Sequence, residues 1–179
     1  MPAVIITCLG LLLVLWFLGQ PYWLERQRRH LRAQPFPPEW RRILQRRVPY
    51  VRAMPADLQL QLKQHMLVFL AEKAFLGCDG LEITDEIRVT VAAQACLLLL
   101  NRPGTYYPGL RQILVYPGSF VVHRVHTDAA GVAHQEPRAL SGESWSEGQV
   151  ILSWHDTLEG AANPSDGQHV TFRAFAHPL

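Results

Sequence analysis

Residues 81–104, LEITDEIRVTVAAQACLLLLNRPG, are the most apolar part of the chain after its N-terminal run, and they predict a central helix. Thr84 can accept a backbone N–H as an N-cap, and acidic residues follow it directly at the positive end of the helix dipole. Between residues 87 and 100 only Arg88 and Gln94 are strongly polar. A helix that is apolar nearly all round is buried on most sides, and this one is too short to cross a membrane. Gln94 therefore needs a buried hydrogen-bond partner.

The segments on either side of this helix predict a mixture of helices and strands. Proline-rich residues 34–55 carry a short helix, and an amphipathic helix with apolar residues at helical spacing follows. Its His65 is expected to be an ordinary core or surface residue. Downstream, β-branched runs and turn residues predict strands, and the chain ends in helical turns that place Arg173 and His177 four residues apart. The predicted segments are helices at 39–47 and 55–75, strands on both sides of Pro117-Gly118 and at 132–141 and 148–154, and a C-terminal helix.

The N-terminus predicts a membrane anchor. Residues 3–19, AVIITCLGLLLVLWFLG, carry no charge, and with the next few residues they reach the ~20 residues that cross a bilayer. No basic residue precedes the run, which disfavours a cleaved signal peptide. Nine arginines lie between Arg26 and Arg52. They predict a single-pass protein of the inner membrane in contact with membrane lipid, with its body facing the cytoplasm.

Composition excludes several classes of function. The 49% apolar content argues against disorder, and the net charge of +2 is small. The arginines are not interleaved with aromatic residues, which argues against direct binding of nucleic acid. The chain has no Gly-rich phosphate loop and no CxxC pair, and SGES lacks the G-x-S-x-G of a hydrolase serine. Three cysteines, among them Cys8 and Cys96, are expected to be free thiols. His123 and His126, three apart on a strand, are expected to face opposite sides rather than share a metal.

Four blocks follow one another along the chain: GLEITDEIRVTVAAQACLLLL, ILVYP, LSGESW and VILSWHDTLEGAANPSDG. In this order they resemble the Mlc titration factor A family of zinc-dependent peptidases. The resemblance implies a zincin-type α+β fold in which a small sheet lies beside a helix bearing H-E-x-x-H. In such a site two histidines one turn apart hold Zn²⁺, the glutamate takes a proton from zinc-bound water, and a later helix supplies a further carboxylate ligand.

The motif of that family is altered in this chain. The family segment reads like D-G-x-N-V-V-x-H-E-F-A-H, and here the corresponding residues read DGQHVTFRAFAH. Arg173 stands at the first histidine, Ala174 at the glutamate, and His177 at the second histidine. The chain stops two residues beyond His177, before the expected third ligand. The resemblance thus leaves His177 as the one metal ligand and no catalytic residue, and zinc is expected not to be bound.

These inferences give one prediction of organisation and two of function. The organisation is a transmembrane anchor at 1–23, a basic, Pro-rich lead-in at 24–54, and an incomplete zincin-like domain at 55–179. The first function is a membrane-anchored member of a zinc peptidase family that is inactive as written, with peptide as its substrate if active. The alternative is a non-catalytic protein that binds a transcription regulator such as an Mlc-type repressor. A metal held by a different set of histidines remains open.

Overall fold

The computed structural model describes Trp16 and residues 19–102, 106–118, 120–127, 133–140, 142–145, 148–162 and 170–176. The chain divides into two compact units, Met1–Pro35 and Phe36–Leu179. In the first unit residues 19–32 form helix α1. The carboxylate of Glu25 pairs there with Arg32 and, at 3.6 Å, with Arg29.

The predicted localisation in the inner membrane is wrong. Among the helices that the structure describes, none is both long enough and apolar enough to cross a bilayer. The described residues of α1 include five charged side chains, and each would lose its hydration in hydrocarbon. Residues 3–15, 17 and 18 of the apolar run lie outside the described residues. The predicted contact with membrane lipid, which depended on an anchor, loses its basis.

The second unit contains both helices and strands, which confirms the α+β class. Its elements are α2 (Pro38–Arg47), a 3₁₀ helix (Pro49–Ala53), α3 (Ala56–Glu72), β1 (Ala74–Gly77), α4 (Asp85–Leu97), β2 (Gln112–Tyr116), β3 (Phe120–Thr127), β4 (Ala133–Leu140), β5 (Gly142–Trp145), β6 (Gln149–Ser153), α5 (Trp154–Ala162) and α6 (Val170–Ala176).

The main sheet has four strands in the order β1-β2-β6-β5. Strands β1, β2 and β6 run parallel, so that Ala74 pairs with Gln112 and Gln112 with Gln149. Strand β5 closes the described sheet as an antiparallel edge strand beside β6. Strands β3 and β4 form a separate antiparallel ribbon. Buried Ile113 and Leu152 place the core at the two central strands.

Helix α4 is the buried central helix that the sequence predicts. The Thr84 hydroxyl accepts from the backbone N–H of Ile87 at 3.4 Å, which confirms the predicted N-cap. The side-chain amide of Gln94, fully buried, donates to the carbonyl oxygen of Thr157 at 3.0 Å. This hydrogen bond supplies the partner that Gln94 was expected to need and joins α4 to α5. The helix ends at Leu97, earlier than its apolar run.

The amphipathic helix ends earlier than its sequence pattern, because the chain turns into a strand that the pattern does not reveal. Helix α3 ends at Glu72, and Lys73 adopts an extended backbone conformation. Buried Lys73 donates through Nζ to the carbonyl oxygens of Tyr107 and Leu110, both at 2.8 Å. These bonds hold the chain where β1 begins. At the far end of β1, a Cβ on Gly77 would lie 1.8 Å from the Leu81 carbonyl oxygen, so only glycine fits.

The two described cysteines carry no disulfide, as the sequence predicts. Cys78 is half-buried and Cys96 is buried, and both are free thiols. Burial raises the pKa of the Cys96 thiol well above its usual range, so this side chain behaves as a small apolar group. Cys8 lies outside the described residues.

One acidic side chain at the start of α4 holds α2 in place. The Glu86 carboxylate accepts from Arg46 at 2.8 Å and also from Arg47. These hydrogen bonds, with Arg47 contributing most, lower the pKa of Glu86 below its ordinary value of 4.5. Its position in the first turn of α4 also suits the helix dipole.

We expect Glu86→Gln to lower the free energy of unfolding by about 0.5–1 kcal/mol at neutral pH. Because the folded-state pKa of Glu86 is depressed, its contribution is present above the unfolded-state pKa and is lost as pH falls through the folded-state value. Urea unfolding of both proteins between neutral and acidic pH should therefore give curves that converge below pH 4.5. Glu82→Gln is the matched control, since exposed Glu82 has no ion pair in the described chain. Equal effects of the two substitutions would contradict this prediction.

Candidate active-site region

Helix α6 lies beside the edge of the main sheet, where the sequence predicts a site-bearing helix. It packs against β5 and β6 and against α4 and α5. Thr171, Ala174 and Phe175 are all buried, and their spacing of three and four residues puts them on one side of the helix. The predicted C-terminal helix is thus confirmed over Val170–Ala176.

An aromatic cluster, defined here as Phe69, Tyr107 and Phe175, holds α6 against the core. The ring of Phe175 lies 6.0 Å from that of Phe69 and 5.4 Å from that of Tyr107, and the Phe69 and Tyr107 rings are 5.9 Å apart. The Tyr107 hydroxyl donates to the carbonyl oxygen of Ala95 at 2.7 Å. Burial raises the pKa of Tyr107 far above its usual value, so the phenol stays protonated. The cluster therefore fixes α6 to both α3 and α4.

Polar contacts join α6 to α5 as well. The Thr171 hydroxyl lies 3.4 Å from the Thr157 hydroxyl, which in turn donates to the Ser153 carbonyl oxygen at 2.7 Å. All three residues are buried. The start of α6, the start of α5 and the end of β6 thus form one packed unit.

The opposite side of α6 is where the resemblance places the metal. Ala176, the last described residue of α6, is exposed and marks the side away from the core. The Arg173 side chain and all of His177 lie outside the described residues, so the predicted ligand His177 remains a prediction. Ala174, at the position of the glutamate, is 2% exposed and offers only a methyl group. The residues at 173 and 174 therefore do not fit a zinc ion held as the resemblance implies.

A different group of metal-binding residue types lies at the start of α5. The donor atoms of His155, Asp156 and Glu159 are all within 4.8 Å of one another. His155 and Glu159 form an exposed pair at 3.5 Å. An oxygen of Asp156, Oδ2, is buried and has no hydrogen-bond partner in the described chain. The positive end of the α5 dipole disfavours a cation at this place. The side chains of His155 and Glu159 are both exposed to solvent, which also weakens this group as a metal site.

The sequence predicts no metal role for His155 beside His177, because the two residues do not share a helix face. The group at the start of α5 depends instead on an H-x-x-x-E spacing, which becomes a neighbouring pair only on a helix. The sequence predicts residues 155–167 as a loop with a short helical piece, whereas α5 covers Trp154–Ala162. A firmer helix assignment would have revealed the pair.

Other histidines lie in the core, on the β3–β4 ribbon or outside the described residues. His65 is buried, and its Nδ1 lies 2.8 Å from the hydroxyl of Tyr106, which confirms it as a core residue rather than a ligand. On the ribbon, His126 pairs in register with His134, and His123 pairs with Pro137. His169 lies outside the described residues.

Comparison with known proteins identifies relatives along nearly the whole chain. The sequence profile of the "Glucose-regulated metallo-peptidase M90" family matches residues 22–179. An uncharacterized protein of Synechocystis sp. is 36% identical over 179 residues, which cover 99% of this chain and 64% of the relative. Mlc titration factor A of Enterobacter sp. is 31% identical over 132 residues, 74% of this chain and 49% of the relative. The same protein of Klebsiella pneumoniae is 28% identical over the same shares. The chain thus spans about half to two-thirds of the length of these relatives.

We expect Phe175→Ala to lower the free energy of unfolding by about 3–5 kcal/mol, because it empties the space between two buried rings. The comparison is Ala176→Ser on the exposed side of the same helix, which should change stability by less than about 0.5 kcal/mol. Urea unfolding followed by circular dichroism measures both. A Phe175→Ala protein as stable as the parent would mean that α6 is not docked on the aromatic cluster.

Proposed function

Because this chain belongs to the glucose-regulated metallopeptidase M90 family, we propose that it has that family's fold without a working H-E-x-x-H centre on α6. One observation carries the proposal. Ala174 occupies the position of the glutamate in the family's motif and is buried as a methyl group. A methyl group cannot accept the proton of a metal-bound water molecule.

The residue before it supports the same conclusion. A histidine ligand donates a nitrogen lone pair to the metal, whereas the guanidinium of Arg173 is protonated at every physiological pH and has none to give. A permanent cation at a ligand position also repels Zn²⁺. With Arg173 at the first position, the stretch RAFAH keeps one imidazole, His177, where the family's motif supplies two. Zinc is therefore proposed for the family and not for α6 of this chain.

Peptidase activity is tested directly on the purified chain incubated with Zn²⁺. We expect no peptide cleavage above the buffer blank, with the relative from Synechocystis assayed in parallel. Cleavage by this chain that a chelator abolishes and added zinc restores would overturn the proposal.

Metal binding gives a readout that does not depend on activity. We expect the double variant Arg173→His/Ala174→Glu to bind zinc at least about tenfold more tightly than the parent, because two imidazoles one turn apart chelate one ion. Isothermal titration calorimetry measures both proteins. His155→Ala is the control: a parent affinity that this change abolishes would assign the metal to the group at the start of α5. Equal zinc affinities of the parent and the double variant would contradict the proposal that the residues at 173 and 174 prevent zinc binding on α6.

As an alternative we propose a non-catalytic role in binding another protein, such as a transcription regulator. Two observations support it. Relatives with the same central region carry the name Mlc titration factor A, which implies that those proteins bind Mlc. In this chain β5 pairs with β6 along one edge, and the order of the described sheet leaves its other edge open. An extended segment of a partner can add to such an edge through main-chain hydrogen bonds.

The alternative predicts saturable binding of a purified Mlc-type repressor, with Mlc titration factor A as the reference. Adjacent residues of β5 donate to opposite sides, so one of Glu143→Pro and Ser144→Pro removes a donor from the open edge and should weaken that binding, because proline cannot donate in a ladder. Surface plasmon resonance measures the affinity, and circular dichroism checks that each variant is folded. Absence of binding, where the reference protein binds, would count against the alternative.

A further inference from the structure

We propose that a basic crevice in the second unit binds the phosphate group of a small phosphorylated ligand. The basic crevice is defined by Arg41, Arg52 and Lys63, which line a single cavity between α2, the 3₁₀ helix and α3. It consists entirely of residues from the N-terminal part of this unit, away from α6 in sequence. The proposal is therefore independent of any metal chemistry.

Helix geometry brings the polar groups to this cavity in pairs. Arg41 and Gln45 both line it and are four residues apart on α2, so they lie on the same side of that helix. Gln59 and Lys63 have the same relation on α3. Arg52 comes from the 3₁₀ helix between the two. Donors from three elements thus surround one space.

The side chain of Gln59 holds the backbone of the segment that carries Arg52. The side-chain amide of Gln59 donates to the carbonyl oxygen of Met54 at 2.9 Å and lies 3.4 Å from that of Arg52. Val51 and Leu44, both buried, form the apolar floor of the cavity. The backbone around the crevice is therefore held in place before any ligand arrives, which reduces the ordering cost of binding.

The three cations of the crevice are not neutralised within the described chain. None of them forms an ion pair there, and the residues that line the cavity include no carboxylate. The neighbouring Arg46 and Arg47 differ, since both pair with Glu86. Like charges that converge on one space repel one another, and a dianion in that space replaces the repulsion with attraction. Arginine forks also match the oxygens of a phosphate group.

The size and lining of the cavity restrict the ligand. Its volume is about 30 Å³, which suits a phosphate-sized group and not a whole nucleotide. No aromatic side chain lines it, so a base would find no stacking partner. The rest of a phosphorylated ligand would extend outside the crevice into solvent.

The test titrates the full chain, labelled with ¹⁵N, with inorganic phosphate at constant ionic strength. We expect saturable amide shifts centred on residues 41–63, with sodium chloride and acetate giving much weaker ones. A parallel titration with glycerol phosphate separates the two sources of the group. An affinity for the monoester at least about fivefold higher than for inorganic phosphate would identify an organic phosphate as the ligand. Equal affinities would identify free phosphate, and both results support the site.

Substitutions then locate the binding. Arg41→Gln, Arg52→Gln and Lys63→Gln should each raise the dissociation constant about tenfold, as expected for loss of one charge-assisted hydrogen bond. Arg42→Gln is the matched control, because this exposed arginine lies next to Arg41 on α2 but does not line the cavity. It should change the constant by less than about twofold. The amide spectra report whether each variant is folded.

Three results would overturn the proposal. The first is the absence of saturable shifts in residues 41–63 beyond those caused by sodium chloride. The second is an equal loss of affinity in Arg42→Gln, which would indicate a diffuse basic surface. The third is Arg41→Gln with unchanged affinity, because the geometry assigns that side chain to the phosphate.

Discussion

The contact between Phe175 and the rings of Phe69 and Tyr107 determines where the family's catalytic helix can lie. Without it, a seven-residue α6 has too little length to be stable by itself, because isolated helices this short are marginal in water. With it, the helix is held against α3, α4 and the sheet edge at once. The position of α6 thus depends on contacts between buried aromatic side chains, and these contacts do not require metal-binding residues.

The side chains that pack α6 against the core are not the ones that would bind metal in the family's motif. The architecture can therefore persist when the motif is altered. The buried side of α6 uses Thr171, Ala174 and Phe175, none of which stands at a ligand position of the family's motif. Ala174 is buried, so at this position a small apolar side chain suits the core. The altered motif that we propose is therefore compatible with the buried packing of α6.

Much of the fold was predictable because local signals agree with the final environment. Three features show this agreement between sequence pattern and burial. They are the N-cap at Thr84, the buried partner of Gln94, and the β-branched runs of β2 and β6. Strand β1 was missed because its first two residues, Ala74 and Phe75, continue the helical spacing of α3, and because the strand forms only through pairing with β2. The arginines were interpreted as a signal of membrane topology, and that interpretation fails because no described helix can cross a bilayer. The sequence also does not show that two of them, Arg46 and Arg47, pair with Glu86. In the candidate site, the altered residues at 173 and 174 can be read from the sequence alone, whereas the group at the start of α5 depends on a helix that the sequence did not reveal.

The arrangement of the main sheet also affects the order in which the chain can acquire its structure. Strand β2 lies between β1 and β6, yet β1 is made long before it and β6 long after it. During synthesis the first strand has no parallel neighbour until Gln112 and the residues after it have emerged, and β2 has one bare edge until residue 149 follows. Pairings between such distant segments form slowly and leave strand edges exposed in the meantime. Helices α3 and α4 pack against each other and both precede β2 in the chain, so they can shield apolar surface before β6 has been made.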